Sequence, residues 1–329
     1  MSTDEQHLPK RKRTDDPAGQ VPAPVEPVRS DIWYEDGNVV LQAGGMQFKV
    51  FRGVLAECSS VFKDMFTFPQ PSAADTEQVE GCPVIHLSDS AQEVKIVLQA
   101  ICQRKYVNNG GKLPLDVIAA FLSLGRKYDI QKLRAEAQIK LYQQFPLTLE
   151  EKDKLPTDTF ISIDMLANHY MKLAVIARKE GILSILPDLL YRCCEIYSVE
   201  HFIHGIIVDD STYRLVAKDQ IACLSAERAI SVAQSLTTWK WAYSDDERCF
   251  RPEQCIPARQ KILQQLLPVP EIEALVLWPL ERTAELCLFC RAGARVIHES
   301  GRTRFWEQLP DIFGLPPWGE LEKEREDIE

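Results

Sequence analysis

The chain has 329 residues, 45% of them hydrophobic and 9% aromatic, and a net charge of -10. That is enough apolar side chain for a sizeable core and enough length for two domains, while the charge disfavours sequence-independent binding to a phosphate backbone. No window approaches the roughly 18 uninterrupted apolar residues of a membrane span, and the start MSTDEQHLPKRKR has no apolar signal-peptide core, so the expected setting is intracellular, in the nucleus and/or the cytoplasm.

Residues 1–29 form a Pro-rich, aromatic-poor leader that reads as disordered. Within it Lys10, Arg11, Lys12 and Arg13 are adjacent cations on a flexible segment. Such a run fits the acidic groove of an import receptor, as a nuclear localisation signal does, or is simply a solvated charge run.

From Asn38, NVVLQAGGMQFKV is two short β-type runs around Gly44 and Gly45. The glycines supply the positive φ of a two-residue turn, and Met46, Phe48 and Val50 alternate with Gln47 and Lys49, which predicts a hairpin with one buried face. Ser59 or Ser60 then offers an N-cap to a helix with Val61, Phe62, Met65 and Phe66 on one stripe, stopped by Pro69 and Pro71. Residues 83–87 read as a strand, and Ser90 to Glu93 has capping-box spacing. Apolar residues recur at helical spacing from Val94 to Ile101, from Leu115 to Leu122 and from Ile130 to Leu141. A hairpin, a helix pair, a strand and three further helices in so short a span make an α+β domain, a small sheet covered by helices.

The order and residues resemble the BTB/POZ domain over residues 30–143, within a domain expected to span residues 30–145. The matching stretches are Ser30-Asp31-Ile32, Phe48-Lys49-Val50, Arg52-Gly53-Val54-Leu55-Ala56, Ser59 through Phe66, and Gly125 through Leu133. The resemblance implies a protein-interaction module, often a homodimer, without catalytic chemistry of its own. It places Asp31 and Arg52 where some members carry a charge pair at the dimer interface; an ordinary exposed Asp and an Arg at a helix start are the alternative. Phe51 stands where the family usually has His, which implies packing in place of a hydrogen bond. Cullin-recruiting members carry a hydrophobic-x-acidic triplet after the Met-Phe pair, but here Thr67-Phe68-Pro69-Gln70-Pro71-Ser72 has no acid, so a cullin partner is the weaker expectation.

Residues 146–160 read as a linker and residues 161–318 as a mostly all-α C-terminal domain, with helices over 165–180, 184–197, 225–241, 257–267 and 280–299. Residues 319–329 read as a solvated acidic tail: residues 320–329 hold six acids against two bases. The run from Leu286 to Trp318 resembles the C-terminal part of BTB-domain proteins of mushroom-forming fungi.

Of the ten cysteines, Cys58, Cys82 and Cys102 are scattered, unlike a secreted disulfide framework. Cys287 and Cys290 form a C-x-x-C, and Cys249 and Cys255 are separated by five residues upstream. Two such pairs can close a tetrahedral structural zinc site; small buried thiols and a redox dithiol are the alternatives. His298 is a substitute ligand by position. His201 and His204 beside Asp209 and Asp210 have metal-like spacing but read better as a solvated face. Nucleotide-binding, hydrolase and zinc-protease motifs are missing, as is a Cys-Cys/His-His finger, so neither an enzyme nor direct nucleic-acid binding is expected. The sequence therefore predicts a self-associating interaction scaffold, with a cullin-ligase adaptor as the alternative.

Overall fold

The computed structural model describes residues 26–68, 77–106, 110–156, 160–243, 249–266 and 271–326. Its N-terminal sheet contains β1 (Val28–Trp33), β2 (Val39–Ala43), β3 (Met46–Val50), β4 (Gln78–Val79) and β5 (Cys82–Leu87), in the order β1-β3-β2-β5-β4. β2 and β3 form the expected antiparallel hairpin, with Ala43 opposite Met46 and with Gly44 and Gly45 both at positive φ. β1, which the sequence pattern did not reveal, lies parallel to β3, and β5 lies parallel to β2.

The hairpin departs from expectation in one respect: both its faces are covered. Phe48 and Val50 enter the core, yet Gln47 and Lys49 on the opposite face are buried too. The Gln47 amide donates to Gln42 Oε1 at 2.8 Å, and Lys49 Nζ donates to the Glu35 carbonyl at 2.9 Å and pairs with Glu80 at 3.1 Å. Polar side chains with satisfied donors are compatible with a buried position.

α1 (Arg52–Cys58) and α2 (Ser60–Thr67) follow, and Ser59 caps α2 by accepting the Phe62 N–H at 3.0 Å. α3 (Ala91–Gln103), α4 (Leu115–Lys127) and α5 (Gln131–Gln144) supply the helical layer, and Ser90 caps α3 through the Glu93 N–H. The α4–α5 turn is tied to α2: Ser59 Oγ donates to the Tyr128 carbonyl, Ser60 Oγ to Asp129, and the Phe62 and Tyr128 rings stack at 4.8 Å. At Gly125 a Cβ would lie 3.0 Å from the Arg134 Cβ, so this glycine sets the closeness of α4 to α5.

The C-terminal region comprises α6 (Leu149–Lys154), β7 (Ile163–Asp164), α7 (Tyr170–Glu180), α8 (Leu186–Ile196), α9 (Val199–His204), β8 (Ile206–Val208), β9 (Ser211–Tyr213), α10 (Ala217–Leu236), α11 (Pro252–Gln265), α12 (Leu288–Ile312) and α13 (Trp318–Glu326). It is mostly helical, as expected, with two exceptions. β8 and β9 form a hairpin through Asp209 and Asp210, both at positive φ, a turn these residues tolerate without the glycines that mark the β2–β3 turn. β7 pairs with β6 (Leu113–Pro114), a strand that leads into α4.

Two predicted boundaries soften on folding. The connector is not a free linker: Thr148 caps α6, Leu149 is buried, and a single buried apolar cluster runs from Ile32 through Phe145, Leu149 and Met171 to Leu315. Nor are residues 320–326 a solvated tail. Leu321 is buried, the Glu324 carboxylate accepts from the Leu183 and Ser184 amides, Ser184 Oγ and the Tyr142 hydroxyl, and Arg325 donates to the Phe145 carbonyl at 2.8 Å. Net acidity hid these partners because they lie about 140 to 180 residues away in sequence.

Candidate functional site

Two places concentrate the groups singled out in the sequence: the open end of the sheet and the four late cysteines. At the sheet end, β1 is the terminal strand, and its outer side has no strand neighbour among the described residues. Asp31 is exposed there, paired with Lys95 on α3 at 2.8 Å and accepting the Ser30 hydroxyl; the Lys95 ammonium chiefly holds its carboxyl below the usual carboxylate range. Arg52 does not meet Asp31 within the chain. Its backbone N–H donates to Asn38 Oδ1, while its guanidinium donates to the Phe66 carbonyl at 3.1 Å and sits 4.9 Å over the Phe66 ring. Phe51 packs its ring against Tyr34, with the centroids 5.1 Å apart. Lys10, Arg11, Lys12 and Arg13 lie outside the described residues, as do Pro69, Gln70, Pro71 and Ser72.

The cysteines converge. Cys249 precedes α11, Cys255 lies in its first turn, Cys287 is the N-cap of α12 and Cys290 lies in that helix's first turn. All four Sγ atoms lie within 4.8 Å of one another, the one grouping of at least three metal-type ligands among the described residues. All four are free thiols; Cys255 and Cys290 are buried, while Cys249 and Cys287 are partly exposed.

Backbone amides point at the sulfurs. Cys287 N–H donates to Cys255 Sγ at 3.2 Å, Cys290 N–H to Cys287 Sγ at 3.4 Å, and Arg251 N–H to Cys249 Sγ at 3.4 Å. The amide bond from Cys290, at the positive end of α12, pulls the Cys287 thiol down to about 7, whereas burial pushes Cys255 and Cys290 up. These donors carry no side-chain signature, so sequence spacing alone did not expose them.

The histidines lie apart from this centre. His298 is fully buried; its Nδ1 accepts from Trp241 Nε1 at 3.3 Å, its Nε2 is 3.0 Å from the Val276 carbonyl, and Trp239 and Trp278 meet it edge-on. It is a core histidine in an aromatic cage, not a substitute ligand for the cysteines. His201 closes the capping box of α9 with Ser198, and Asp209 pairs with Lys172, so the His201, His204, Asp209 and Asp210 set makes no metal grouping.

Residues 34–145 match the family model of the BTB/POZ domain. The chain thus contains a BTB/POZ domain, a module that works through protein–protein contact, followed by a mostly helical region. No curated protein matches the chain. β1 lies ahead of the matched residues and completes the end of their sheet. Among the described residues, no helix is long and apolar enough to cross a membrane.

Proposed function

We propose that the protein is an interaction scaffold: its BTB/POZ module associates with that of a second copy, and its helical region presents a surface to a protein partner. The observation that carries this reading is the BTB/POZ domain itself, whose core continues into the helical region. The outer side of β1, which has no strand neighbour among the described residues, supports self-association, because a strand edge is a template for another chain. A pair between Asp31 of one copy and Arg52 of the other would exchange the internal Lys95 and Phe66 contacts for contacts across the interface. Such an exchange contributes to specificity more than to net affinity.

Sedimentation equilibrium over a concentration series tests the proposal. The expected result is a dimer that Asp31→Ala weakens; a single-chain mass at every concentration removes self-association, and an unchanged dimer in the variant removes the role of Asp31. The basic run Lys10 to Arg13 is the proposed nuclear localisation signal, and a reporter fused to residues 1–29 that stays cytoplasmic would sink that assignment.

A further inference from the structure

We infer that Cys249, Cys255, Cys287 and Cys290 bind one Zn²⁺ ion as four thiolates, and that this ion fixes a small second core to the N-terminal end of α12. In a regular tetrahedral site with metal–sulfur bonds of about 2.3 Å, sulfurs lie about 3.8 Å apart. The four Sγ atoms, all within 4.8 Å of one another, need only a small contraction to reach that arrangement. Two ligands come from the start of α11 and two from the start of α12, so the ion would clamp two segments together.

The electrostatics suit a metal thiolate. Zinc with four thiolates carries a net charge of -2, which a buried site must offset with donors. Here three amides donate to three of the sulfurs, and the N-terminal ends of two long helices converge on the cluster. Filling the site is not a redox step: four thiols release four protons and the metal keeps its charge.

The alternative readings account for less. One disulfide would use two of the sulfurs and leave two unexplained. Ordinary buried cysteines also sit poorly here, since Phe250, Arg251, Pro252, Glu253 and Gln254 between Cys249 and Cys255 are all exposed. An all-sulfur donor set selects a soft metal over magnesium or calcium, and four protein ligands with no open position mark a structural site.

The site also meets a local need. Cys255 and Cys290 belong to a buried cluster with Trp239, Trp241, Ile262 and Leu286 that is separate from the main core. Clusters this small supply little stability alone and are commonly fastened by a metal or disulfide.

The test is metal analysis of the full chain, purified without chelator and under reducing conditions, followed by anaerobic Co²⁺ exchange. Zinc is expected at one ion per chain, with intense cobalt–thiolate charge-transfer absorption after exchange. The double variant Cys287→Ser, Cys290→Ser should lose the zinc, while Cys58→Ser, Cys102→Ser should keep it. Because the first variant risks misfolding, a mercurial should also be titrated into the native protein. Zinc release with loss of amide protection in α11 and the start of α12, while α3 to α5 stay protected, supports the inference. Zinc well below one equivalent without a cobalt–thiolate spectrum overturns it, as does iron with visible cluster absorption. A zinc-bound single-chain species would end the self-association proposal yet leave this inference standing.

Discussion

Replacing Glu324 by Ala tests whether the acidic C-terminal segment is part of the fold. Its carboxylate accepts the Leu183 N–H at 2.6 Å, the Ser184 N–H at 3.1 Å, the Ser184 hydroxyl at 2.8 Å and the Tyr142 hydroxyl at 3.0 Å. The hydroxyls can turn to other acceptors, but the two amides cannot move. Leaving a buried donor unsatisfied costs about 1–3 kcal/mol. Water entering the space left by Glu324 argues for the lower half of that range, so two amides give about 2–4 kcal/mol. A kcal/mol is worth about 2–4 °C in domains of 150–250 residues and about 1.5 °C in a chain of this length, so the expected fall in melting temperature is about 3–6 °C. Calorimetry reads the shift, and hydrogen exchange should show Leu183 and Ser184 losing protection first. Glu324→Gln keeps one acceptor oxygen and should fall between the two proteins. A Glu324→Ala melting temperature unchanged within error would mean that α13 is the solvated end its charge suggests, and the docking argument would fail.

Two further substitutions probe the C-terminal region. At Gly301 a Cβ would stand 2.4 Å from the Thr237 carbonyl oxygen, a backbone atom that cannot swing aside, so Gly301→Ala should cost about 1–3 kcal/mol through overpacking; an unchanged urea midpoint would refute the close crossing. His298 is held below its usual value of 6.5, chiefly by burial. The folded state therefore resists the proton that the unfolded state accepts, and stability falls as pH drops below about 6.5, by no more than about 1.4 kcal/mol per pH unit for one proton. His298→Gln should flatten that slope in denaturation experiments across this range; an equal slope in both proteins would assign it elsewhere.

Local signals carried much of the N-terminal module. Gly44 and Gly45, the Ser59 and Ser90 caps and the periodic helices from Ala91 onward announce themselves within a few residues of sequence, and they form as expected. β1 did not, because VRSDIW shows no clear alternation and is a strand by virtue of β3 beside it. The same distinction explains α12. Its pattern suggested a helix over 280–299, but the segment before Cys287 is held in turns, while Phe305, Trp306 and Leu309 extend the helix by packing into the main core. The cysteine pairs were visible as pairs, yet their meeting depends on α11 and α12 starting side by side, which no spacing encodes. His298 was a metal candidate in sequence and a caged core residue in space, since its partners Trp241 and Val276 are 57 and 22 residues away.

The short β6–β7 pairing has a consequence for anyone who would transplant the first module. Leu113 and Pro114, within the BTB/POZ match, pair with Ile163 and Asp164 outside it, and the carbonyl of Phe145, the match's last residue, accepts from Arg325. A cut at the family boundary would leave a strand without its mate and a carbonyl without its donor. The portable unit in this protein is therefore larger than the recognisable one, and a chimera that respects only the recognisable part should inherit a wound along the seam.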